Sequence, residues 1–296
     1  MLSITPDLLL PAEFQLAEGP IWFDDRLWFV DSLAGHLHAL EPDSRHLTTF
    51  EVGDVIGSAV PTAHDPDLWV ISCRSGFAWF RLSTQSLLPI LNPEPHRESG
   101  YFNDGKCDPA GRFLSGSLGV AGSCALYILD HELRVRQQVK GITTSNGMAW
   151  TPQGSTFYYI DSPTQRIDAF DYDLATGEMS GRRTVVKTPR ALGNPDGMCL
   201  DAAGHLWVAQ WDGGSVVCYD PASGEALATI HFPLDRPTSC CFGGDDWQTL
   251  YITTARAGLP AATLERTPAA GSIYHCRLEQ PGRPPALFQP HPHLLP

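Results

Sequence analysis

Short runs rich in Val, Ile, Leu, Trp, Tyr and Phe alternate along the whole chain with clusters of Gly, Pro, Asp and Asn. Few windows carry apolar residues at the spacing of an amphipathic helix, so the pattern predicts many short strands joined by turns. One unit recurs: a polar residue, a glycine, an apolar strand, a turn of Asp, Pro or Gly, and a second strand led by an aromatic. Glu18-Gly19-Pro20-Ile21-Trp22-Phe23 turns at Asp24-Asp25 into Leu27-Trp28-Phe29-Val30. Asp104-Gly105-Lys106-Cys107, Asn146-Gly147-Met148-Ala149-Trp150 and Asp196-Gly197-Met198-Cys199-Leu200 begin three further copies. Weaker copies start near Gly57-Ser58-Ala59-Val60 and Ser239-Cys240-Cys241-Phe242.

The second-strand aromatics are Trp28, Trp69, Phe113, Phe157, Trp207 and Tyr251, spaced by 41, 44, 44, 50 and 44 residues. That is the length of one four-stranded propeller blade. The expected fold is therefore all-β, a six-bladed β-propeller with four-stranded antiparallel blades around a central channel. Six units fill nearly the whole chain, so residues 1–296 are expected to form a single domain. A strand at residues 12–16 is expected to join the last blade and close the ring, which removes exposed edges. The Pro-rich tail, about 281–296, reads as a solvated end in which His291 and His293 are idle.

The repeat also predicts a site. The innermost strand of each blade runs along the channel, so residues that start it converge on the axis although they lie far apart in sequence. That position reads Glu18, Gly57, Asn103 or Asp104, Asn146, Asp196 and Ser239. Carboxylates and amides aimed at one axis repel when alone and suit a hard divalent cation. Asn-Gly and Asp-Gly are also ordinary turn dipeptides, but turn chemistry does not account for their recurrence at one phase of the repeat. The set points to one divalent metal held by Glu18, Asn146 and Asp196. Ca, Mg or Mn suit the oxygen ligands, and an open three-ligand site also admits Zn or Fe.

Composition narrows the partners. Hydrophobic residues make up 43% and charged residues 18%, and the net charge is −13. So negative a surface repels phosphate backbones and anionic membranes, which excludes nucleic acid and membrane as expected partners. No obligate protein partner is evident. Residues 1–20 lack the basic and apolar segments of a signal peptide, and no apolar run reaches the ~18 residues of a membrane span. A cytoplasmic location is expected. The eight cysteines form no C-x-x-C pair and lie in apolar runs, as reduced, buried thiols do. Trp22, Trp150 and Trp207 are expected in the core, and His36 and His205 at the surface.

Several stretches resemble the SMP-30/gluconolactonase/LRE family: Phe102-Asn103-Asp104-Gly105-Lys106-Cys107, Ser145-Asn146-Gly147, Tyr159-Ile160-Asp161-Ser162, Pro195-Asp196-Gly197 and Thr238-Ser239-Cys240-Cys241-Phe242-Gly243-Gly244. The resemblance implies a six-bladed propeller, a divalent metal on Glu18, Asn146 and Asp196, and hydrolysis of a sugar lactone to its aldonic acid. It also implies a substrate-facing role for Asn103. Asp196 is the candidate catalytic base, and Glu18, stiffened by Gly19-Pro20, a fixed ligand. Two features depart from the family. Tyr101 stands where its sugar lactonases carry Arg, and the loop at 117–122 carries no charge. Tyr101 is thus the expected substrate wall, with Arg74 a candidate replacement cation. Alternatives are a non-catalytic, metal-binding regulatory propeller and a hydrolase of other lactones or phosphotriesters.

Overall fold

The computed structural model describes residues 2–97 and 99–296. Each repeat folds as an antiparallel sheet, and six sheets form the expected propeller. In blade 1 the innermost strand Ala17–Phe23 is followed outward by Arg26–Asp31, His36–Glu41 and His46–Glu51. Blades 2 to 6 begin with the innermost strands Ile56–Pro61, Tyr101–Cys107, Ser145–Trp150, Asn194–Leu200 and Pro237–Gly243. These six pack side by side in a closed ring, the last against the first.

The first turn of each blade shows why the repeat carries Asp and Gly there. Asp108 Oδ1 accepts the backbone N–H groups of Ala110 and Arg112, and Asp201 does the same for Ala203 and His205. A side chain that accepts bonds from its own turn fixes the reversal. Gly111 completes it at φ 85°, a conformation that favours glycine. Asp108 Oδ2 also accepts Arg112 Nε and the Tyr172 hydroxyl, while Arg112 donates to the carbonyls of Leu174 and Ala175. One turn thus ties blade 3 to blade 4. Between blades the core is aromatic, as in the Trp28–Trp69 contact with ring centres 4.5 Å apart. Trp22, Trp150 and Trp207 are buried as expected, and Trp22 stacks on Tyr251. All eight cysteines are buried and unpaired.

Two expectations about the chain ends need correction. The strand that completes blade 6 is Asp7–Leu10, paired with Ile273–Arg277, not residues 12–16. Pro11, which has no N–H to donate, ends that strand. Residues 12–16 reach the last blade through scattered backbone contacts: Phe14 N–H donates to Gly271 O, Gln15 O accepts from Arg256 and Ala257, and Leu16 bridges to Ala255. Leu2–Ile4 adds a fifth, parallel strand to blade 5. The tail is not a free end, although Arg283, Pro284, Gln289 and His291 are exposed. Gly282 donates to Trp247 O, Phe288 to Pro61 O and Gln289 to Gly111 O, so the segment crosses the end of the channel formed by the first turns. Phe288 is fully buried against Trp79. His291 pairs with Glu132 at the surface. Among the described residues no helix is long and apolar enough to cross a membrane.

Candidate metal centre at the channel mouth

The pairing of each innermost strand with its neighbour breaks at one level. The break lies between Glu18 and Ile21, Ile56 and Ser58, Phe102 and Gly105, Ser145 and Met148, Pro195 and Met198, and Pro237 and Ser239. Such a bulge leaves residues unpaired and re-aims their side chains. In blades 3, 4 and 5 the unpaired residues are Asn103-Asp104, Asn146-Gly147 and Asp196-Gly197, so Asn103, Asn146 and Asp196 hold equivalent places. Asp104 stands where the next two blades have glycine. Gly147 is needed for close approach, because a Cβ there would lie 2.7 Å from the Asp196 carbonyl oxygen.

Hydrogen bonds fix the amides. Asn103 Nδ2 donates to Asn146 Oδ1 at 3.0 Å and to Ser145 O at 2.7 Å. Asn146 Nδ2 donates to Ser162 Oγ at 2.8 Å, and that hydroxyl donates to Pro195 O at 2.6 Å, one residue before Asp196. With its nitrogen committed to Ser162, the Asn146 oxygen keeps one lone pair for a further partner.

The carboxylates are differently placed. Glu18 and Asp196 are buried, and each accepts one bond, from the backbone N–H of the following glycine. Among the described residues no side chain donates to either. Burial pushes the Glu18 pKa well up, and the charges of Asp196 and Asp104 push it further. Burial and Asp104 raise Asp196 well above its ordinary value. Asp104 is raised by burial, with Lys106 pulling against it. Crowded, buried carboxylates, of which Glu18 and Asp196 have no cationic side-chain partner among the described residues, form beside a tethered amide oxygen a donor set that fits a hard divalent cation.

Tyr101 borders this group. Its phenol is pushed up by burial and by Glu18 and Asp196, and Arg74 partly offsets them. Arg74 is exposed on the turn after Leu68–Cys73, at the mouth end. The 117–122 loop has no charge of its own. A carboxylate nevertheless reaches it, since Glu94 Oε1 accepts the Ser117 and Tyr127 hydroxyls.

Sequence reasoning missed Ser162, which orients Asn146 from a different loop. It also missed Lys106, whose Nζ crosses the channel to Met198 O at 2.8 Å. Lys106 lies two residues after Asp104 on the innermost strand of blade 3, and both line the channel; its place on a channel strand was the signal that could have found it. A second set of donors, Asp201, His205 and Cys218, lies within 4.8 Å at a first turn, the far end of blade 5. Its carboxylate already serves the turn: Oδ2 accepts Trp207 Nε1 and lies 3.1 Å from His205 Nδ1. His205, expected at the surface, is thereby half-buried.

This arrangement defines a propeller with an oxygen-lined, acidic mouth, and comparison with known proteins places it among relatives. Residues 16–256 match the model of the SMP-30/Gluconolactonase/LRE-like region, and the chain belongs to that family. Regucalcin of Pongo abelii is 36% identical over 284 residues, covering 93% of this chain and 94% of that protein. A luciferin-regenerating enzyme structure superposes with a TM-score of 0.89 at 28% identity, over 96% of this chain and 99% of that one. A calcium-binding regucalcin of Agrobacterium tumefaciens shares the fold, with a TM-score of 0.91 at 24% identity over 97% and 98% of the two chains.

Proposed function

We propose that the protein is a metal-dependent hydrolase that opens a small-molecule sugar lactone to the corresponding aldonic acid. One observation carries this reading: two buried carboxylates, Glu18 and Asp196, share the mouth with an amide oxygen that Ser162 holds in place. Membership of a family named in part for gluconolactonase supports the reaction class.

Glu18, Asn146 and Asp196 would hold the ion. When bound, a divalent ion supplies Lewis acidity at the lactone carbonyl. Glu18, followed by Gly19-Pro20, acts as a fixed ligand. Asp196 takes the proton from the attacking water as the new C–O bond forms at the carbonyl carbon. It returns that proton to the ring oxygen as the ring C–O bond breaks. Asn103 orients the substrate beside Asn146. Tyr101 forms the wall, offering a ring face and one hydroxyl. In a mouth where Tyr101 stands and Arg74 is exposed, a less hydroxylated lactone is the second reading.

A panel of aldonolactones assayed with protein stripped of metal and reloaded with single ions tests this. Ring opening that requires the ion, and falls roughly 100-fold or more in Asp196→Ala, is the expected result. Tyr101→Arg should shift preference toward polyhydroxylated rings. If no aldonolactone is opened in an ion-dependent way, the lactonase reading is wrong.

A further inference from the structure

Below the mouth the channel stays open inside. The innermost strands and the tail enclose a cavity of about 390 Å³. That falls within the roughly 300–1,000 Å³ of sites that hold small molecules. Its walls are largely apolar, with Trp22, Trp150 and Met148 among them, and one side is the tail segment 283–286. Glu18, Asn146 and Asp196 do not line it.

The charged groups on this wall run against the protein's overall charge of −13. Lys106 and Arg283 both face the cavity, and Asp104, at the mouth end, is the one carboxylate that does. Lys106 is half-buried and spends one N–H on Met198 O, which leaves two donors free. Arg283 is exposed and has no ion pair or side-chain hydrogen bond among the described residues. It sits where the cavity opens beside the tail. A cation inside apolar walls binds an anion far more strongly than one in water does.

We propose that this cavity is a second ligand site, separate from the mouth, for an organic anion with an apolar body, such as a medium-chain carboxylate. Lys106 anchors the carboxylate, the hydrocarbon lies against Trp22 and Trp150, and Arg283 attracts the anion at the opening.

Calorimetric titration of the metal-loaded full chain with octanoate, and separately with 1-octanol, tests the assignment. Octanoate should bind at one site and more tightly than the alcohol. Lys106→Met should weaken octanoate roughly tenfold or more while sparing 1-octanol. Arg283→Ala, at an exposed position that does not threaten folding, should weaken it about two- to fivefold, an effect that shrinks with added salt. Glu18→Gln should leave octanoate binding intact. The proposal is overturned by absence of saturable octanoate binding, by equal affinity for acid and alcohol, or by binding unchanged in Arg283→Ala. Loss of binding in Glu18→Gln would place the ligand at the mouth instead, and also overturns it.

Discussion

His38, on the third strand of blade 1, stacks on Phe29 and touches Phe14, and is 3% exposed. Its Nδ1 lies 3.0 Å from Thr49 Oγ1, and Nε2 has no partner. Burial and the neighbouring His36 push its pKa down from 6.5 to about 4. Between those values the unfolded chain binds more protons than the folded one. The contribution to stability is therefore full above the unfolded pKa and is lost as pH falls toward the folded one, on the order of 3 kcal/mol. His38→Gln should show a flatter dependence of Tm on pH across this window than the wild type, and an unchanged slope would contradict the assignment. At this scale the sequence was legible where the repeat repeats. Glu18, Asn146 and Asp196 share one phase of the repeat; Asn146 and Asp196 fall within bulges at one level, and Glu18, still paired with Val30, stands at the edge of the bulge in blade 1. The choice between Asn103 and Asp104 was not legible, because a bulge breaks the alternation that would decide it. Ser162 was not legible either, because its bond to Asn146 joins residues from different segments.

Among elements, the innermost strands were readable from their apolar runs and flanking turns, whereas the chain ends were not. Leu8-Leu9-Leu10 lacks the alternation of a half-buried strand, yet Asp7–Leu10 closes blade 6. The tail is rich in proline and so reads as unable to pair, but the N–H groups of Gly282, Phe288, Gln289 and His291 find carbonyls on different blades. Phe288 inserts among Trp79 and its neighbours with no exposed surface. Removing a fully buried aromatic costs about 3–5 kcal/mol, so Phe288→Ala should lower unfolding stability by that amount in chemical denaturation. A change within ~0.5 kcal/mol, typical of a surface position, would show that the tail is dispensable.

For the whole molecule, one architectural device creates the site. Six equivalent strand starts meet on an axis, so residues more than a hundred positions apart, such as Glu18 and Asp196, become neighbours in a buried, acidic mouth. The fold class followed from the spacing of Trp28, Trp69, Phe113, Phe157, Trp207 and Tyr251, since a blade cannot bury its faces alone and each copy needs the next. The Asp201–His205–Cys218 group offers a competing location for an ion, at the opposite end of blade 5. Calorimetric titration of metal-stripped protein with Ca²⁺ or Mn²⁺ separates the two. The account predicts one site per chain in the wild type and in Asp201→Asn, and loss of that site in Glu18→Gln and in Asp196→Asn. Binding that survives both mouth substitutions and disappears in Asp201→Asn would contradict it.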